Sequence, residues 1–136
     1  MFQSLRQDKG GFTLLEIMIV VAIIGLLAAI AVPSFMRARM RAQASTILNE
    51  FRQVDAAKDQ YGLENNKKDT DPVSWADATP HLKAGSRLAT GGGTDLLGNG
   101  FSGGVPPTVG MRLVVSASTK AALSAAVDNT FWGPYS

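Results

Sequence analysis

From Ile17 to Val32 the chain carries no charged or strongly polar side chain, and the wider stretch from Phe12 to Phe35 holds a single charge, Glu16. Read as a helix rising about 1.5 Å per residue, these 24 residues are long enough to cross a hydrocarbon core of about 30 Å. Past Pro33 the apolar pattern changes period rather than stopping. Ala44, Ile47, Leu48, Phe51, Val54, Ala57 and Tyr61 recur at helical spacing, while Asn49, Glu50, Arg52, Gln53, Asp59 and Gln60 fall mainly on the other side. No Gly or Pro interrupts Ser34 to Tyr61. The pattern predicts one helix of about fifty residues, from Phe12 to near Glu64, apolar all round in its first half and amphipathic in its second. Pro33 stands near the end of the apolar half, where a proline kinks or ends a helix.

The remainder reads as short elements. Asn65 to Asp71 is polar and exposed. Asp71-Pro72 predicts a cap and first turn for a short helix over Val73 to Ala78, with Trp75 packed inward. Thr79-Pro80 predicts a turn through His81, Leu82 and Lys83, closed at Gly85. Most of the 14 glycines lie after residue 84, which marks a change from helix to loops and strands. Gly91-Gly92-Gly93 lacks the strand and lysine of a phosphate loop and reads as a flexible connector. Val109 to Ser116 alternates, with Val109, Met111, Leu113 and Val115 on one face, and predicts a strand; Phe101 to Val105 is a weaker strand able to pair with it. Ser118 is placed to cap a helix from Thr119 to Ala126. Phe131, Trp132 and Tyr135 predict a tail that docks on the domain. The expected fold class is α+β: a long N-terminal helix packed on a small antiparallel β-sheet with short helices. The amphipathic stripe from Ala44 to Tyr61 should be covered by the 109–115 face, Trp75 and Phe131.

Composition narrows the chemistry. The 136 residues allow one small domain beyond the apolar helix. The formal net charge is +2 and no basic stripe is interleaved with aromatics, which argues against a nucleic-acid partner. There is no cysteine, so disulfides and thiolate metal sites are excluded. A single histidine, His81, follows a proline with nothing nearby to complete a site, and no nucleophile motif or interpretable carboxylate pair is present. The chain is not expected to be an enzyme or to need a cofactor.

Glu16 is the anomaly. A carboxylate within a membrane helix is costly and is usually paired and functional. No basic residue occupies the next twenty positions. A cut between Gly11 and Phe12 would give Phe12 a free α-amine, and that ammonium on a neighbouring copy would neutralise Glu16. Within one helix the same amine lies about one turn away, so an intramolecular contact is open as well.

Gly11-Phe12-Thr13-Leu14-Leu15-Glu16, followed by the apolar run to Pro33, resembles the N-terminus of the type IV pilin and type II secretion pseudopilin superfamily. The resemblance implies a leader, residues 1–11, removed by a prepilin peptidase that also methylates the new amine of Phe12. It implies that Glu16 matches a neighbour's N-terminus during filament growth, and that Pro33 is where the helix bends or melts in the filament. Residues 12–35 would form the transmembrane and filament-core half of the helix, and residues 36–136 a globular periplasmic domain that includes the amphipathic half. The implied partners are further copies in a homo-oligomeric helical filament, the peptidase, the membrane, an inner-membrane assembly platform and minor pseudopilins. Asp95-Leu96-Leu97-Gly98-Asn99-Gly100-Phe101 resembles in part the Asp-x-Trp-Gly-Asn-Pro-Tyr stretch of major pseudopilins, with Leu97, Gly100 and Phe101 as departures. Major pseudopilins carry calcium in a C-terminal loop; Asp128, Ser124 and Asn129 are the residues here to supply some of the about six to eight oxygens it takes. A type IV pilin for adhesion or motility is the alternative within the class.

Three readings compete. Arg6 and Lys9 before an apolar core, with Ala29-Ile30-Ala31 as a small-x-small site, fit a secretory signal peptide. A plain signal anchor, or a membrane-anchored periplasmic binding module without polymerisation, fits the apolar length but gives Glu16 no role. Arg37, Arg39 and Arg41 outnumber Arg6 and Lys9, and the positive-inside count alone would place the C-terminal side in the cytoplasm; the resemblance implies a single pass through the bacterial inner membrane with the domain in the periplasm. The arginine run itself reads as a headgroup-facing cluster or as a partner for Asp55 or Asp59 of another copy.

Overall fold

The structure is a computed structural model and describes residues 10–101 and 108–136. Helix α1 spans Leu14–Glu64, 51 residues, with Pro33 inside it. The proline removes one amide donor, so the Ala29 carbonyl loses its usual partner while the helix runs on. By length and composition α1 contains a segment able to cross a membrane. The chain divides into two compact units, one ending at Met36 and the other running Arg37–Ser136.

In the first unit every large apolar side chain from Phe12 to Met36 faces outward. In the second, α1 buries Ala44, Ile47, Phe51, Val54 and Ala57, with Leu48 and Tyr61 partly covered. Two residues assigned to the polar side or passed over, Glu50 and Lys58, are buried as well. The aromatic centre of the core is built on Phe51, whose ring meets Phe101 edge-on at 4.9 Å and Tyr135 at 5.6 Å. Gly62 makes close packing possible lower down: a Cβ there would lie 2.7 Å from Val109 Cγ1.

Short elements wrap this helix. They are α2 (Trp75–Ala78), a 3-10 turn (Thr79–His81), α3 (Arg87–Thr90), α4 (Ala117–Leu123) and a final 3-10 segment (Asn129–Tyr135). Helix α2 begins later than Asp71-Pro72 suggested. Ser74 is its cap and forms a reciprocal box with Asp77, and Trp75 is only partly buried. Helix α4 begins earlier, capped by Ser116 rather than Ser118, because Ser116 Oγ takes the Thr119 N–H at 3.2 Å.

The expected antiparallel sheet is corrected: among the described residues there is no strand, only isolated antiparallel bridges, Pro72 with Thr108 and Thr94 with Gly100. The weaker strand, Phe101 to Val105, lies mostly outside the described residues. Val109 to Val115 still shows part of its alternation, with Val109, Leu113 and Val115 buried, but Met111 of the same face is 53% exposed. A turn at Gly110, whose N–H donates to Asp69 O at 2.9 Å, breaks the register before Met111. Val115 N–H then pairs with the Tyr135 carbonyl at 2.9 Å, so the extended segment is closed by the tail instead of a neighbouring strand. The tail docks as expected, burying Trp132 and Tyr135. The glycine run is a defined turn, not a loose connector. Gly93 adopts φ +85°, and a Cβ on it would sit 3.4 Å from the Trp75 ring.

Candidate functional site

Helix α1 starts where Thr13 can cap it. Thr13 N–H and Thr13 Oγ1 both donate to Glu16 Oε2, at 2.8 Å and 2.9 Å, and Glu16 N–H donates back to Thr13 Oγ1 at 3.2 Å. This is a capping box: two groups at the helix start, otherwise unpaired, are satisfied reciprocally. Thr13-Leu14-Leu15-Glu16 is the Thr-x-x-Glu signature of such a box, a signal present in the sequence itself. Glu16 is therefore not a bare carboxylate awaiting a partner. One oxygen is engaged within its own chain, and the other, Oε1, carries no hydrogen bond among the described residues.

Gly11 and Phe12 precede the helix and are exposed, Phe12 to 87%. Nothing lies within 4 Å of the position a Cβ on Gly11 would take, so this fold does not itself demand a glycine there. The amide used by the box belongs to the Phe12–Thr13 bond. A cut between Gly11 and Phe12 leaves every hydrogen bond of the box in place. Pro33, the remaining residue assigned to assembly, is exposed within α1.

The globular unit holds a polar cluster that spans four segments. Glu50 is buried on α1. Arg87 donates to its Oε1 through Nε at 3.1 Å and through Nη2, and Leu96 N–H reaches its Oε2 at 3.0 Å. Arg87 Nη1 donates to the Asp95 carbonyl at 2.8 Å. Asp95 is 1% exposed; its Oδ1 accepts from Leu97 N–H and Asn99 N–H, both at 2.9 Å, and its Oδ2 from the Thr119 hydroxyl. Asn99 Nδ2 also donates to Thr119 Oγ1 at 2.9 Å. The stretch that resembles the pseudopilin Asp-x-Trp-Gly-Asn motif is thus a turn organised by its aspartate and anchored to α1 by Arg87. Local spacing does not mark Glu50, Arg87 and Thr119, because the bonds of the Glu50 carboxylate to Arg87 and Leu96 and of Thr119 to Asn99 span 20 to 46 positions.

The residues considered for calcium do not fit it. Asp128 caps the final 3-10 segment, its Oδ1 taking Phe131 N–H at 3.1 Å and Thr130 Oγ1 at 2.6 Å. These bonds, Thr130 first, hold its carboxyl below the ordinary range. Ser124 Oγ is spent on the Ala121 carbonyl at 2.8 Å. Among the described residues no three His, Asp or Glu side chains gather as metal ligands would. His81 lies 3.7 Å from Glu64 and against Tyr61 at the domain surface.

The prokaryotic N-terminal methylation motif matches residues 6–32. The type IV major fimbrial protein FimA of Dichelobacter nodosus is 41% identical over 71 residues, 52% of this chain and 44% of that protein. Type II secretion system core protein G is 35% identical in Klebsiella pneumoniae over 83 residues, 57% of this chain and 59% of that protein. In Pseudomonas aeruginosa it is 42% identical over 60 residues, 44% of this chain and 42% of that protein. The chain spans about half the length of the curated relatives it matches. No solved structure matches it.

Proposed function

We propose, for a chain whose N-terminal half belongs to the type IV pilin and type II secretion pseudopilin superfamily, that it is a structural subunit polymerising into a type II secretion pseudopilus. A prepilin peptidase cuts the Gly11–Phe12 bond and methylates the Phe12 amine. The subunit waits in the inner membrane on a single pass, with residues 36–136 in the periplasm. An assembly platform then draws it into a helical filament, with minor pseudopilins as further partners.

One observation carries this reading: an apolar half-helix covers none of its large side chains itself, yet keeps one carboxylate with a free oxygen. Lipid covers such a surface before assembly, and neighbouring copies of the same surface cover it afterwards. The capping box turns Glu16 Oε2 inward, which leaves Oε1 for the ammonium of an adjacent Phe12. An unpaired carboxylate in that setting is costly, so the pair acts mainly by penalising wrong registers. A tethered binding module would need neither the carboxylate nor the cut.

The similarity to FimA favours a second reading, a type IV pilin for adhesion or motility. The Asp95-centred turn and the small size of the domain favour the pseudopilus.

Mass spectrometry of the membrane-extracted protein tests processing. The expected mature chain starts at N-methylated Phe12; a start at Val32 would establish the signal peptide and an intact Met1 the anchor. Because a side chain at Gly11 meets open space, Gly11→Val should leave folded, uncut precursor. Deleting the gene should abolish secretion of exoproteins without loss of surface pili; the opposite pattern selects the pilin.

A further inference from the structure

We propose that Arg39 of one copy pairs with Asp59 of another and that this pair sets the stagger between neighbouring copies. The proposal rests on the filament reading above and names a contact within it.

Within the Arg37–Ser136 unit, helix α1 carries charges whose partners can be traced one by one. Arg41 Nε donates to the Ala126 carbonyl at 3.1 Å. Glu50 is held by Arg87. Asp55 Oδ1 accepts from Lys58 Nζ at 3.1 Å, and that ammonium also donates to the Met111 carbonyl. Glu64 takes Gln60 Nε2 at 3.0 Å. Arg37, Arg39, Arg52 and Asp59 remain, all exposed and without a hydrogen bond or ion pair among the described residues. The three arginines 37, 39 and 41 have no acidic residue among them to neutralise them.

Helical geometry chooses among the three free arginines; Arg52, seven residues before Asp59, lies about 20° from it, on the same side of α1. A helix turns about 100° per residue, so Asp59 lies on nearly the same side of α1 as Arg37, about 40° away. From Arg39 the same count leaves Asp59 about 160° away, on the opposite side, and about 30 Å further along the axis. Copies stacked head to tail mate two different patches, and a patch on one side must meet a patch on the other. Arg39 and Asp59 meet that requirement, and Arg37 and Arg52 do not. Parallel copies offset by about 30 Å bring the two to one level.

The surface around Asp59 has room for a guanidinium. Asp59 stands between two open grooves of about 450 and 430 Å³, the first bordered by Arg52, Met111 and Tyr135 and the second by Leu63 and Val109. Leu63, one turn on, is 82% exposed and offers an apolar rest for an arginine stem. A single exposed ion pair contributes little affinity. Repeated at every copy, and replaced by unpaired or like charges at every other stagger, it selects register.

The chain has no cysteine, which makes the contact directly testable. The full chain carrying Arg39→Cys and Asp59→Cys is expressed in cells that assemble it, and sheared filaments are oxidised and run without reductant. The two positions are about 30 Å apart in one chain, and a disulfide needs Cα atoms within about 7 Å, so any bond joins two copies. We expect a ladder of multimers from this variant and mostly monomer from Arg37→Cys with Asp59→Cys. Filaments without a ladder from the first, or an equal ladder from the second, overturn the pairing and leave the filament reading standing. Cleaved wild-type protein that never forms filaments overturns both. As a second arm, Arg39→Asp and Asp59→Arg should each lower filament yield by at least about five-fold, and their combination should return it to within about two-fold of wild type. Single reversals with wild-type yield, or a combination that is folded by protease resistance yet no better than either, also overturn the pairing.

Discussion

The two stretches of α1 are one helix by backbone and two different objects by physics. Among the described residues up to Met36 no large apolar side chain is covered by the protein, and the only reciprocal polar device is the Thr13–Glu16 box at the start. From Ala44 onward the same helix carries a packed stripe, two buried charged side chains and one wall of the core. A helix can therefore be continuous while its two parts draw stability from different sources. The lower part is held by residues of its own chain; the upper part needs lipid or other copies to cover it. The comparison predicts that changes before Met36 alter assembly and leave domain stability alone, and that truncating buried side chains from Ala44 onward does the reverse.

The largest separation should come from Glu16→Val. It removes the register signal and leaves the apolar surface intact, so insertion and cleavage should be normal while sheared filament yield falls by more than about ten-fold. Both tryptophans, Trp75 and Trp132, lie in the lower unit, so their fluorescence reports the domain alone, and its unfolding midpoint should not move. Wild-type filament yield from this variant would remove the assembly role of Glu16.

Phe51→Ala is the mirror experiment. Phe51 is 1% exposed between the Phe101 and Tyr135 rings, and truncation there should cost about 3–5 kcal/mol in denaturant unfolding of the full chain in detergent. Processing at Gly11 should be unaffected. A loss below about 1 kcal/mol would mean that Phe51 does not anchor the core.

Arg87→Met tests whether the polar cluster belongs to the same cooperative unit. It strands the Glu50 carboxylate and frees the Asp95 turn, and should cost about 2–3 kcal/mol, with Glu50→Gln costing less. Calcium and chelator should leave the midpoint of both the variant and the parent unchanged, since Asp128 caps the final segment, Ser124 donates to Ala121, and no cluster of acidic ligands forms among the described residues.

Thr13→Ala sharpens the upper half. It deletes the cap hydroxyl and should weaken the first turn by about 1 kcal/mol, read as faster amide exchange at Glu16 and Ile17, with the domain midpoint unchanged.

The smallest effect is on acid stability. Asp77 and Asp128 each hold a cap, and their hydrogen bonds to Ser74 and to Thr130 lower their carboxyls below the ordinary value of 3.8. A lowered folded value means that the contribution is present above the unfolded value and fades as pH falls through the folded one. The domain midpoint should thus drop as pH falls below about 4, and Asp77→Asn with Asp128→Asn should flatten that drop.

The sequence by itself determined the long helix, its change from all-round apolar to one-sided, the isolated carboxylate and the prepilin-like start. These are local or periodic properties, readable because each depends on residues within a turn or two of one another. The Thr13–Glu16 and Ser74–Asp77 boxes were equally local and legible from spacing alone. Only the tertiary structure decided that the Val109–Val115 alternation has no partner strand among the described residues and that Val115 closes against Tyr135, because a strand needs a neighbour that its own sequence does not name. Only the tertiary structure put Glu50 inside. An acidic residue on the border of the stripe is buried when a guanidinium 37 positions away arrives to hold it. The same holds for Arg39 and Asp59: the pattern supplied both charges, and folding decided which of their neighbours were already engaged.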